Sequence, residues 1–378
     1  VEQHGQTLTW RENALSRTEP WLTTGKSKPP RNVEVVDDEL RAEDALRYAS
    51  EGVGMLWRGD FRNARQLLDA LKRRLDRKQL KSVDDPAGAF YRYRQSRTHR
   101  ARILGLLLME LDEDFVLDLP RSPDVRTACL EAYGEPSGHG VVSLQELLGA
   151  IGARQWRLNG VEVPALDARI YPHYGVFAPT RTEYVDLVAN ELTRVDVPAT
   201  AFDIGTGTGV LAALLVRHGV KQVVATDNAP RAAACAVDNV RRLGITDQVA
   251  VVETDLFPAG RAELVVCNPP WLPVTPASPL DTGVYDQGGR MLATFLRDLP
   301  EHLAPGGEAW LVLSDLAELL GLRTREVLLD LFGKAGLTVL GHTTTRPDHP
   351  RSYDGEDHLA AARAAEEVTL WRLAVQQV

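Results

Sequence analysis

FDIGTGTGVLA, residues 202–212, reads as the end of a buried strand, a glycine-rich turn and the opening of a helix. Glycines at such a turn let the backbone lie close to a ligand, and a helix N-terminus favours negative charge. The nicotinamide spacing G-x-G-x-x-G would need a third glycine at position 210, which is Val210; here the glycines are Gly205, Gly207 and Gly209. Outward from this turn, short apolar runs end at Asp203, Asp227, Glu253, Asn268 and Leu313. Helical stretches fill the intervals: VLAALLVRH, PRAAACAVDNVRRLG, MLATFLRDLPEHL and AELLGLRTREVLLDLFGKAG. That alternation predicts an α/β fold with a doubly wound parallel sheet. Two further strands, LTVLGHT and VTLWRLAV, flank a long loop containing DHPRSYDGEDH, and at least one is expected to run antiparallel at an edge.

The strand ends carry the chemistry. A carboxylate at Asp203 would repel a pyrophosphate but suits an ammonium group. Asp227, closing the second strand, stands where a carboxylate accepts two ribose hydroxyls. Asp255, in ETDLF, is placed to accept from an adenine amino group, with Leu256 or Phe257 against the ring. The order D-x-G-x-G-x-G, then D, then D-L/F resembles the class I S-adenosylmethionine-dependent methyltransferases over about residues 180–378. The resemblance implies a Rossmann-like methyltransferase sheet and S-adenosyl-L-methionine as cofactor. It also implies cofactor contacts from Asp203, Gly205, Thr206, Gly207 and Gly209, and from Asp227, Asn228, Asp255 and Leu256.

VVCNPPWLP, residues 265–273, ends the fourth strand with an amide, two prolines and an indole. A planar –NH2 has two in-plane hydrogens and a lone pair conjugated into its π-system. The Asn268 side-chain oxygen and the Pro269 carbonyl can each accept one hydrogen and turn the lone pair toward an electrophile. Pro269 and Pro270 restrict φ at consecutive positions, which holds the acceptors in place. Trp271 is expected to stack on the flat acceptor group or on a cationic one. In the resembled family such an N-P-P-aromatic motif marks methylation of planar nitrogens, as in the release-factor glutamine-N5 and adenine-N6 enzymes. Asn268 then borders the cofactor as well as the substrate.

Two other segments fit that resemblance. YPHYGVFAPTRTEYVDLV, residues 171–188, is similar to the family's G-V-x-x-P-R-P-x-T-E stretch, through Gly175, Val176, Pro179, Thr182 and Glu183, with one residue fewer. It implies cofactor contacts from Phe177 and Thr182. VYDQGGRML, residues 284–292, resembles the loop after the N-P-P motif. His173, Tyr174, Glu183, Tyr285 and Asp286 are candidate substrate-side groups, each of which also reads as a helix cap or rim residue.

The first half is less legible. Residues 1–32 read as a mobile arm, 33–154 as a mainly helical substrate or lid domain, and 155–178 as a β-hairpin linker turning at Asn159–Gly160. Residues 179–378 form the expected catalytic domain. Ser143 and Glu146 make a capping-box pattern before SLQELLGAIG. Residues 72–102 hold 11 basic and 3 acidic residues with Phe90, Tyr91 and Tyr93 among them, a pattern compatible with RNA or with solvated helix faces. By contrast, residues 171–378 hold 17 Lys+Arg against 26 Asp+Glu and so carry the whole net charge of −9. An acidic half of that kind would repel a long polyanion.

Cys129, Cys235 and Cys267 form no CxxC pair, which points away from zinc and disulfides and toward a reducing cytoplasm. No apolar run approaches a membrane span, and the N-terminus lacks the apolar core of a signal peptide. The expected activity is N-methylation of a planar amide, amidine or guanidino nitrogen on an amino-acid-like group in a protein or small metabolite. Adenine-N6 methylation of RNA or DNA is the alternative, and a non-catalytic cofactor-binding interaction protein is the reading from another class.

Overall fold

Residues 6–77, 85–276, 280–347 and 359–376 are described by a computed structural model, and the chain divides into two units, Val1–Gln155 and Trp156–Val378. The first unit departs from the expected mobile arm. Strands β1 (Thr7–Glu12) and β2 (Leu15–Pro20) pair antiparallel through a two-residue turn, Asn13 and Ala14, both at positive φ. Such a primed turn matches the strand twist. Alternation along β1 buries Leu8 and Trp10, which join Trp21, Leu56, Leu108 and Val141 in one apolar cluster. Residues 1–5 of the expected arm lie outside the described residues.

The chain continues through β3 (Asn32–Val36), α1 (Ala42–Glu51), β4 (Val53–Trp57), α2 (Phe61–Asp76), α3 (Pro86–Leu104), β5 (Leu107–Leu111), α4 (Arg126–Tyr133), β6 (Gly140–Ser143) and α5 (Leu144–Asn159). Helix outweighs strand, as expected. The organising feature, however, is a sheet in the order β3-β4-β5-β6, parallel except for β6. Asp60 caps α2 by accepting from Arg62 N, and its own backbone carbonyl accepts the indole N–H of buried Trp57. Glu146 N donates to Ser143 Oγ at 3.1 Å, the expected cap, but the Glu146 carboxylate turns to Thr24 N at 2.7 Å and Thr23 Oγ1 at 3.0 Å.

Asn159–Gly160 is not a hairpin turn. Gly160, at φ +67, ends α5 and donates to Trp156 O at 2.8 Å. A left-handed glycine after a helix closes it as well as it would close a hairpin. A hairpin does follow one step later: β7 (Val161–Val163) and β8 (Ala168–Ile170) pair antiparallel around Pro164–Asp167.

The second unit then alternates as the apolar runs predict: α6 (Glu183–Leu192), β9 (Thr200–Ile204), α7 (Val210–Arg217), β10 (Gln222–Asp227), α8 (Pro230–Arg242), β11 (Val249–Glu253), β12 (Ala262–Cys267), α9 (Arg290–His302), β13 (Leu303–Ser314), α10 (Leu316–Leu319), α11 (Arg325–Lys334), β14 (Leu337–Thr345), α12 (Ala360–Ala365) and β15 (Val368–Val375). Among the described residues its sheet has the order β11-β10-β9-β12-β13-β15-β14. The pairs from β11 to β13 are parallel, and β15 runs antiparallel to both β13 and β14. The antiparallel strand therefore sits one place in from the edge.

Successive residues of the central strands serve opposite cores. Leu264 and Val266 of β12 pack with α6 and α7, whereas Val265 and Cys267 pack with α9 and α11. β13 repeats this, with Trp310 and Val312 on one side and Ala309, Leu311 and Leu313 on the other. Burial on both faces makes such strands read as unbroken apolar runs. The stretch AELLGLRTREVLLDLFGKAG, expected as one helix, breaks into α10 and α11, and Thr324 Oγ1 caps the second by accepting from Val327 N. DHPRSYDGEDH falls outside the described residues.

Candidate active site

The register of β9 and β12 makes the site. Cys267 is paired with Ile204 on one side and Leu311 on the other. Asn268 and Gly205 therefore leave the sheet at the same level from adjacent strands. The order reverses there, since the chain runs from β9 to β10 on one side and β12 lies on the other. In open α/β sheets, ligands bind in that crevice, beyond the C-terminal ends of the strands.

On the β9 side, Gly205, Gly207 and Gly209 all take left-handed φ, at +71, +55 and +81. A Cβ added at Gly207 would meet nothing within 4 Å, so its backbone faces open space. Thr206 N donates to Thr226 O at 2.8 Å and Gly207 N to Asp227 Oδ2 at 3.0 Å, which ties the turn to the end of β10. Asp227 Oδ1 also accepts Ala229 N at 2.9 Å. Each of its oxygens keeps a further lone pair for a ligand hydroxyl.

Asp203 differs from the expectation. Only 1% exposed, it accepts Thr206 Oγ1 at 2.6 Å and Ala212 N at 3.0 Å, both on Oδ2. It braces the glycine turn and the first turn of α7, instead of standing open to an ammonium group. Burial, and the nearby Asp227 carboxylate, push its pKa up to about 6. An acid raised in the folded state costs stability once it must ionise. The contribution of this one group is then most favourable below pH 4 and falls by about 3 kcal/mol as pH rises through about 6. Asp203→Asn should remove that slope, read as the wild-type minus variant denaturation free energy at pH 4, 5 and 6; a difference that stays constant with pH contradicts it.

Asn228 and Asp255 are paired by Asn228 Nδ2 donating to Asp255 Oδ1 at 3.2 Å, and Asp255 is exposed. Leu256 sits at φ +58 with its carbonyl accepting Thr226 Oγ1 at 2.6 Å. Phe257, the alternative ring partner, is already stacked between Phe295 and His302, at centroid distances of 5.4 and 4.3 Å. That leaves Leu256 as the apolar neighbour of Asp255.

On the β12 side, Asn268 is half-buried and Pro269 buried. Trp271 Nε1–H donates to Asn268 Oδ1 at 2.9 Å, which fixes which end of the amide is oxygen. The guanidinium of Arg181 lies over the indole, 5.2 Å from its centroid. Arg181 in turn donates to Glu183 and, at 3.2 Å, to Glu366, which also accepts Ser314 Oγ at 2.6 Å. Trp271 packs against both cores of the sheet. The indole thus carries an internal cation–π contact, and its N–H orients Asn268. Arg181, Ser314 and Glu366 escaped the sequence reading; the one-residue departure at Pro179–Thr180–Arg181 was the available signal.

The remaining candidates are split. Asp286 is buried and caps α9, accepting Met291 N at 3.0 Å and Leu292 N at 3.1 Å, so its carboxylate is structural. Its own N–H donates to Leu272 O at 2.8 Å, and the Leu272–Tyr285 bridge beside it ties the chain after Trp271 to this cap. Phe177 is 39% exposed and rests on Gly283, where an added Cβ would come within 3.0 Å. Thr182 precedes α6, and its carbonyl accepts Asp186 N at 2.9 Å. His173 and Tyr174 are engaged with α8, through Asp238 Oδ2 at 3.2 Å and the Arg231 guanidinium at 5.6 Å respectively.

Among the described residues no group of three or more His, Cys, Asp or Glu could hold a metal ion, and no helix is long and apolar enough to cross a membrane. The three cysteines are free and buried, and burial pushes the Cys129 and Cys235 thiols up to about 12, so neither is a nucleophile.

The family model described as the methyltransferase small domain matches residues 167–339. The release factor glutamine methyltransferase of Cereibacter sphaeroides is 32% identical over 158 residues, covering 36% of this chain and 57% of the relative. A Methanocaldococcus jannaschii protein named for N5-glutamine methylation is 28% identical over 165 residues, 41% of this chain and 80% of its own. The ribosomal RNA small subunit methyltransferase C of Alcanivorax borkumensis is 31% identical over 160 residues, 40% of this chain and 44% of its own. The chain thus spans little more than half of the first relative and less than half of the third. Over residues 167–339 the chain is similar to the methyltransferase small domain, and its second unit is similar to proteins named as glutamine methyltransferases.

Proposed function

We propose that this chain is an S-adenosylmethionine-dependent N-methyltransferase acting on a planar amide, amidine or guanidino nitrogen of an amino-acid-like group, in a protein or a small metabolite. The observation that carries the reading is the shared level of Gly205 and Asn268 in the crevice between β9 and β12. The crevice fits the donor: an open backbone at Gly207, a half-buried acceptor at Asp227 and the Asn228–Asp255–Leu256 edge beside it. When bound, S-adenosylmethionine supplies a methyl group activated by its sulfonium.

The chain's own residues do the aligning. Asn268 Oδ1 has one lone pair taken by Trp271 and one left for an acceptor N–H, and the Pro269 carbonyl takes the second hydrogen. Held so, the nitrogen lone pair points along the line of transfer. Asn268 and Pro269 would hold that nitrogen for a bound donor to supply its methyl, the S–C bond giving way to the N–C bond, with a neutral thioether as leaving group and the extra proton passing to solvent. No strong base is required. Glutamine amides are the best-supported acceptors, since two of the relatives are named for glutamine methylation. A cytoplasmic location agrees with three unpaired cysteines.

Incubation of the protein with labelled methyl donor and fractionated extract tests the reading. Label in protein or small molecules is expected. Label in nucleic acid alone would favour adenine-N6 methylation, which the same acceptor pair can serve, and donor binding with no label anywhere would leave a cofactor-binding interaction protein.

A further inference from the structure

Helix α3 runs from Tyr91 to Arg102 without one buried side chain. Its buried residues are confined to the ends: Phe90 on one side, Ile103 and Leu104 on the other. Asp85 caps its start, accepting Gly88 N at 2.7 Å. Between those anchors Tyr91, Arg92, Arg97 and Arg102 are exposed, while Tyr93, Arg94 and Arg100 are half-buried.

The charge of that middle is one-sided. Residues 86–104 contain five arginines and one histidine and no acidic residue. Arg94, Arg97 and Arg100 recur three apart, a spacing at which like charges on a helix repel. The end of α2 adds exposed Arg73, Arg74 and Arg77. Arg100 Nε to Asp76 at 2.9 Å joins the two helices, so the basic residues make one surface. This stands on a chain whose net charge is −9.

We propose that the α2–α3 surface of the first unit binds a polynucleotide through its phosphodiester backbone. Three features favour that over an acidic protein. The cations of α3 are all arginines, whose planar forks match phosphate oxygens two at a time. The recurrence of exposed arginines along α3 and at the end of α2 suits a ligand with charge at regular intervals. Tyr91, 54% exposed, offers a flat ring to an unstacked base among those arginines. The proposal goes beyond the methylation reading and does not depend on which nitrogen is methylated.

Fluorescence polarisation of the full chain with labelled oligouridylate, an RNA duplex and a DNA duplex tests it without any methyl transfer. Binding is expected at low salt, with at least a tenfold loss on raising salt from about 50 to 200 mM. Preference for oligouridylate would identify single strands, through Tyr91; equal duplex binding would identify the backbone alone. The double variant Arg97→Glu, Arg102→Glu alters exposed positions and should fold normally by circular dichroism, yet bind at least tenfold more weakly. Arg97→Lys with Arg102→Lys should retain most of the salt-dependent binding. No binding at low salt, full competition by polyglutamate, or unchanged binding by the Glu variant would overturn the proposal. Any of these results leaves the methylation reading intact.

Discussion

Asn268→Ala is expected to slow methyl transfer by at least about a hundredfold while donor affinity stays within about threefold of wild type. The amide oxygen is the only side-chain acceptor of the proposed pair, and removing it leaves the Pro269 carbonyl to hold the nitrogen alone. Misalignment of reacting atoms by about 1 Å is enough for a loss of that size. Isothermal titration with donor, alongside transfer of labelled methyl, separates the two quantities. Equal turnover by the variant would remove Asn268 from the mechanism. Trp271→Phe is a useful companion, because it keeps an aromatic ring under Arg181 and deletes only the N–H that orients Asn268 at 2.9 Å. Its turnover should fall by about tenfold, between wild type and Asn268→Ala, in keeping with loss of one hydrogen bond.

Asp227→Ala is expected to weaken donor binding by about a hundredfold, the loss of charge-assisted hydrogen bonds to two hydroxyls. The same carboxylate receives Gly207 N and Ala229 N, so part of the loss comes from loosening the turn. A donor analogue lacking the ribose hydroxyls distinguishes the parts. Wild type should bind that analogue much more weakly than the donor, whereas Asp227→Ala should discriminate little between them. Undiminished discrimination by the variant would place the ribose elsewhere.

Much of the second unit was legible because its central strands are buried on both faces. Their apolar runs stop where the sheet stops, and so Asp203, Asp227 and Asn268 stood out at strand ends. What failed to show was partnership across long separations. Arg181 and Glu366 are 185 positions apart, and no local pattern announces that they meet beside Trp271. The Asp203 carboxylate was readable as a strand-end acid, but its burial beneath the glycine turn depends on how α7 packs.

The first unit was harder for a different reason. Its sheet strands are four or five residues long and sit between helices of 8 to 19 residues, so helical periodicity dominates any window. Asn159–Gly160 was ambiguous in principle, since a left-handed glycine serves a helix end and a hairpin equally well. Leu8 and Trp10 alternate as a strand should, but in a polar segment of six residues that signal is faint.

The most direct test is a crystal structure of the protein with S-adenosylhomocysteine, in which the distance from the thioether sulfur to Asn268 Oδ1 is measured. A methyl in transit, an acceptor nitrogen about 3–3.5 Å beyond it and one hydrogen bond allow a separation of about 7 Å or less. The account predicts a value in that range, with the ribose on Asp227. A sulfur more than about 10 Å from Asn268, or a ligand seated away from the β9–β12 crevice, would contradict it.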